Sequence, residues 1–244
     1  MSKPRSRRVI LVRTGATEWD NVGRLAGTAD LPISPDGRRR LEHLSAALSG
    51  VPFGCVWSPG DEASCETAVV VAGFAAERDT GPKPKLKKND ALRELGLGLW
   101  EGSLAEELRA RCPSAFGRWC EDPRDVTPPQ GESIAELGER LVAECVRLMH
   151  RSRDESHALV IVLRPIACAA LAAVLTRTDL VALLRASGAV GFAAEPALND
   201  DAAAEGSGDG APAFEAGVID VTVSTDELEA RQIVAQQRVA AAPA

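Results

Sequence analysis

Two short apolar runs constrain this chain more than anything else in it. RVILVR at residues 8–13 and ALVIVL at residues 158–163 are rich in β-branched residues and carry no polar alternation. Runs of this kind fit strands buried on both faces, as in a parallel sheet. The first stops at Arg13-Thr14-Gly15. The second meets Arg164-Pro165 and then a helical pattern over residues 166–175. CVWS at residues 55–58 reads as another short strand.

The segments between these strands read as helices. Ser34-Pro35 is a helix start, with serine as the cap and proline in the first turn. That helix is expected to run to about residues 49–50, with Leu41, Leu44 and Leu48 on one face. Residues 63–76 form a second helix of small and apolar residues. Ser103 with Glu106, and Ser133 with Glu136, both read as capping boxes. The latter opens an amphipathic helix with Ile134, Leu137, Leu141, Cys145 and Leu148 on its buried stripe. Strand–helix alternation predicts an α/β fold: a three-layer sandwich with a mostly parallel sheet and helices on both faces. With 244 residues, 45% of them hydrophobic, one large core can be filled. A single domain over residues 1–244 is expected, with a small helical insert at about residues 100–130. Residues 198–213 read as a flexible loop, 217–223 and 231–235 as a closing strand pair, and 239–244 as a frayed tail.

The net charge is −7, which weighs against nucleic acid or an anionic membrane as partner. The basic start is followed only by VILV, too short for a signal peptide, and no run is long enough to span a bilayer. A cytoplasmic location is expected. The six cysteines show no C-x-x-C pair and no clustering with histidine. They are expected to be thiols, with no metal and no disulfide framework. No cofactor is called for.

In sheets of this kind ligands bind beyond the carboxyl ends of the strands. That rule gathers Arg13–Gly15, Arg164-Pro165 and the loops 58–64 and 92–102 around one candidate site. The same segments carry a pattern over about residues 8–176: RTGATEWDNVGRLAGTADLPISPDG, SPGDEASCETA, LRELGLGLWEG, FGRWCEDPRDVTPPQGESIAEL and ALVIVLRPIACAALAAVL. In this order and spacing they resemble the histidine phosphatase superfamily, of phosphoglycerate-mutase-like fold.

The resemblance implies a nucleophilic histidine, two arginines and a second histidine around the phosphoryl group, and a carboxylate as acid and base. Position by position, Arg13 keeps the first arginine and Glu94 the carboxylate. Thr14 stands at the nucleophile position, where a hydroxyl with no base beside it attacks poorly. None of residues 60–64 is basic, so the second arginine is missing. Asp20 replaces an asparagine, with Asn21 next to it, and Ala26 replaces a glutamine. Arg164 and Pro165 stand where the second histidine and its glycine are expected. The three histidines of the chain, His43, His150 and His157, lie elsewhere in the pattern, His157 about 20 Å from the carboxyl end of its strand.

Three readings follow. In the first, a catalytically degenerate pocket uses Arg13, Asn21 and Arg164 to hold a phosphorylated or carboxylate small molecule, unless Arg164 pairs internally with Glu94 or Asp20. In the second, Glu94 and Arg13 support altered or residual phosphatase chemistry. In the third, the chain acts through interaction, for example as a homodimer.

Overall fold

The computed structural model describes residues 6–76, 83–151, 156–192 and 217–231. In chain order it runs β1 (Ser6–Arg13), α1 (Glu18–Asn21), α2 (Pro35–Leu41), α3 (Leu44–Ala47), β2 (Cys55–Ser58), α4 (Glu62–Ala76) and β3 (Lys85–Lys88). Then come α5 (Ala105–Arg111), α6 (Pro113–Glu121), α7 (Ile134–Arg151), β4 (Leu159–Leu163), α8 (Pro165–Thr176), α9 (Leu180–Ala186) and β5 (Val218–Ser224). The expected loop 198–213 and tail 239–244 lie outside the described residues.

The five strands form one sheet in the order β3-β2-β4-β1-β5. All neighbours are parallel except β5, which runs antiparallel to β1 at the edge. Side chains alternate across a strand, and here both faces are buried. Val9 and Leu11 of β1 join Leu159, Ile161 and Leu163 of β4 in one core, covered by α7 and α8. Ile10 and Val12 join Val160 and Val162 in the other, covered by Leu41, Leu44, Leu48 and the apolar side of α4. This is the expected α/β arrangement with helices on both faces.

Arg13 pairs with Leu163 in the parallel register of β1 and β4. The two strands therefore end level, and their next residues, Thr14 and Arg164, emerge at the same end of the sheet. The insert between β3 and α7 packs around aromatic rings. Trp100 meets Phe116 and Trp119 edge-on, at 5.5 and 5.7 Å between ring centroids.

Four local expectations change. The helix after Ser34 starts as expected, with the serine hydroxyl accepting from the Gly37 N–H. It then breaks at Glu42 and His43, whose N–H groups bond three residues back instead of four, leaving two short helices. Ser103 does not cap α5. Its hydroxyl takes a bond from Arg111, and the Glu107 carboxylate accepts from the Leu104 N–H one residue further on. Residues 225–231 are helical and β5 pairs antiparallel with β1; the rest of the second strand expected at 231–235 lies outside the described residues. Finally, β3 was not expected. Ser133 and Glu136 do form the capping box of α7, with both the hydroxyl and the N–H of Ser133 donating to the carboxylate.

Candidate functional site

A cleft of about 240 Å³ opens beyond the carboxyl ends of β2 and β4. The loops at residues 27–30, 59–61 and 90–94 line it, with Arg164 at its base. A tighter inner lobe continues past Arg164 and Glu94 to Asp20, Leu25, Leu97, Pro165 and Val190. Arg164 and Glu94 thus belong to both lobes.

Glu94 is fully buried and acts as a cap. Its Oε1 accepts from the N–H groups of Leu95 and Ala167, both at 2.8 Å, and its Oε2 from the N–H of Ile166 at 2.9 Å. Ile166 and Ala167 open α8, so the carboxylate occupies the positive end of that helix. Pro165, at the first helical position, has no N–H to offer. Burial pushes the Glu94 carboxyl up to about 7, while the three N–H donors and Arg164 pull it down.

The loop that carries Glu94 is held from behind by Arg140 of α7. That guanidinium donates to the carbonyls of Ala91 and Arg93 at 2.9 and 3.0 Å and grips the Glu132 carboxylate at 2.8 and 3.0 Å. Backbone bonds join the same loop to the segment before α7: Leu99 N–H to the Pro129 carbonyl, and Glu132 N–H to that of Gly96. At Gly98, with φ of +53°, a Cβ would sit 2.2 Å from the Pro129 carbonyl oxygen. Only glycine fits there.

Arg164 is 3% exposed. Its Nε and Nη1 are buried without a hydrogen-bond partner. The expected pairing with Glu94 or Asp20 does not form. Glu94 is committed to backbone, and Asp20 accepts from the N–H and hydroxyl of Thr17 in the capping box of α1. The nearest carboxylate is Asp61, 3.9 Å away, beyond hydrogen-bond range. Asp61 Oδ1 itself accepts from the Ser64 N–H at the start of α4.

Arg13 and Thr14 are not among the residues lining this cleft. They border a cavity with Gly37, Arg40 and His43, while the Arg13 guanidinium reaches to Gly188, next to Ala189 of the inner lobe. Burial lowers the Arg13 guanidinium from its ordinary value; Asp20 opposes this, and Arg40 and Arg164 add to it. Thr14 is buried, its N–H bonded to the Leu163 carbonyl. The next amide, Gly15, donates to the Thr67 hydroxyl of α4, which fixes the turn. Asn21 is turned away, donating to the Ser34 hydroxyl and to Glu18. Cys168, the nearest thiol, is pushed up to about 12 by burial, with Arg13 pulling the other way. It is inert as a nucleophile. Among the described residues no group of His, Cys, Asp and Glu is arranged to hold a metal ion, and no helix is long and apolar enough to cross a membrane.

The architecture and the placement of Glu94 and Arg164 agree with the sequence pattern, and comparison with known proteins decides the ancestry. Residues 9–189 match the histidine phosphatase superfamily, branch 1. The chain belongs to that superfamily. Histidine phosphatase relatives include phosphoserine phosphatase 1 of Hydrogenobacter thermophilus, 31% identical over 134 residues, which are 55% of this chain and 60% of that protein. A probable phosphoglycerate mutase, GpmB of Proteus mirabilis, is 30% identical over 59% of this chain and 66% of its own length. The match therefore spans less than two thirds of these relatives. Among solved structures, Bacillus stearothermophilus YhfR superposes with a TM-score of 0.63 at 26% identity, covering 72% of this chain and 83% of its own. A mycobacterial glucosyl-3-phosphoglycerate phosphatase in complex with VO3 gives 0.60 at 26% identity, covering 73% and 86%.

Asp30, Asp90, Arg93 and Arg140 escaped the sequence pattern. The first three lie on loops with no periodicity. Arg140 sits on the polar side of α7, where a solvated charge is the ordinary expectation.

Proposed function

We propose that this chain is a catalytically degenerate histidine phosphatase that binds a small carboxylate or phosphorylated molecule at Arg164 and does not turn it over. The observation that carries this reading is the commitment of Glu94. A proton donor must be free to meet the leaving oxygen, and this carboxylate is instead bound to three backbone N–H groups. Those donors at the start of α8 would otherwise attract an anionic ligand. The residue at the nucleophile position, Thr14, is buried and not among the residues lining the cleft, and no histidine lines either lobe among the described residues. Arg164 supplies unpaired donors for an anion.

The test is turnover of a generic aryl phosphate together with trapping of a phosphoenzyme. Neither is expected above background. Turnover that falls on Glu94→Gln would overturn the reading in favour of residual hydrolysis. The Glu94 carboxyl, held near neutrality, supports that alternative, as do the phosphatase names of the relatives.

A further inference from the structure

The cleft pairs a buried cation lacking hydrogen-bond partners at two of its nitrogens with an excess of carboxylates. Asp30, Asp61, Asp90 and Glu94 line the outer lobe against Arg93 and Arg164, and no lysine or histidine lines it. Three aspartates, with Glu94 titrating at about 7, against two guanidiniums leave the lobe net negative. Arg93 is largely exposed and leans on Asp90 at 3.6 Å. That leaves Arg164 as the buried cation of the lobe, with Nε and Nη1 unpartnered. A phosphate dianion brought to Arg164 would gain that one partner and be repelled by the rest of the lining. The acidic side chains alone would suggest nothing, since Asp30 and Asp61 are already occupied in part, accepting from the Glu62 and Ser64 N–H groups. The unpartnered guanidinium beside Asp61 is what gives the lobe two opposite poles.

We infer that the ligand is a small zwitterion: one molecule carrying an anionic head for Arg164 and an ammonium group for the carboxylates around Asp61. This rests on the reading of Arg164 as an anion site and narrows it. Each charge of such a molecule meets its opposite, and its ammonium offsets a carboxylate head fully and a phosphoryl head in part, so less net charge enters an acidic lobe than with the anion alone. At about 240 Å³ the lobe falls below the range of roughly 300–1,000 Å³ common for drug-sized ligands. It suits a molecule the size of an amino acid or an aminoalkyl phosphate.

Calorimetric titration of the full chain at low salt tests this with matched probes. 4-Aminobutyrate and phosphoethanolamine are the zwitterions, with a carboxylate and a phosphoryl head. Butyrate and inorganic phosphate are their anion controls, and butylamine the cation control. At least one zwitterion is expected to bind tenfold or more tighter than its control, and the one that does identifies the head. Asp61→Asn keeps an acceptor for the Ser64 N–H and should erase that preference; Arg164→Gln should abolish binding, with folding of both variants checked by circular dichroism. A preference that survives Asp61→Asn would overturn the assignment. An anion that binds as tightly as its zwitterion, and is lost on Arg164→Gln, would sink the zwitterion and leave the anion site standing. Binding by none of the probes would sink both.

Discussion

Glu94 is a buried carboxyl held between opposed influences, and its proton is tied to folding. In the unfolded chain it titrates near 4.5, in the folded protein near 7. Between those values the folded state holds a proton that the unfolded state has released. Its contribution to stability is therefore full below pH 4.5 and is lost as the pH rises through 7. The loss amounts to at most about 3 kcal/mol. Urea midpoints measured at pH 5 and pH 8 should fall for the wild type and fall less for Glu94→Gln. An equal fall in both would show that Glu94 is ionised throughout. The glutamine variant should be weaker at pH 8 than at pH 5 by no more than other groups dictate, since its amide does not titrate in that range. That Glu94 caps α8 was not legible in the sequence, because its partner Ile166 lies 72 positions away. The resemblance gave its place but not its engagement.

At the level of elements, legibility followed locality. Ser133 and Glu136 cap α7 as read, because both ends of the box lie within one turn. Ser133→Ala should cost about 1 kcal/mol in chemical unfolding. The strands β1 and β4 were legible because burial on both faces writes itself as an unbroken apolar run. The edge strand β3, KLKK, has all four residues exposed and so lacks that signal. Its lysines fit an edge kept from pairing with another chain. The helical segment over residues 225–231 carries no apolar signal long enough to be read from the sequence. The clamp of Arg140 on the Glu94 loop also joins distant segments. Arg140→Ala strands Glu132 and the Ala91 and Arg93 carbonyls, and should cost about 3 kcal/mol, a loss that Arg140→Lys recovers only in part because it lacks the fork.

On the scale of the whole molecule, the sheet separates two cores, and the one under the insert holds the large rings. Trp119 is fully buried, and its indole Nε1 has no hydrogen-bond partner. Removing the ring and removing the N–H should therefore differ sharply. Trp119→Ala is expected to cost about 3–5 kcal/mol. Trp119→Phe sheds an unsatisfied donor along with some packing, so its cost should be well below that of alanine. Thermal unfolding of the two variants decides it, and equal losses would mean that the indole N–H does bond in solution. The sheet, the two faces and the general place of the site were legible because each depends on apolar pattern or strand order. The hydrogen-bond isolation of Arg164 was not, because it depends on how Glu94, Asp20 and Asp61 are taken up by backbone N–H groups and Thr17. Where Gly98 lies against the Pro129 carbonyl, no side chain of any kind fits, so neither loop can be re-tailored at that point. Substitution is channelled instead to positions whose backbone leaves room for a side chain, such as Asp61 at the cleft. A scaffold partitioned in this way can exchange its chemistry one residue at a time while the seating of Glu94 stays where the backbone puts it.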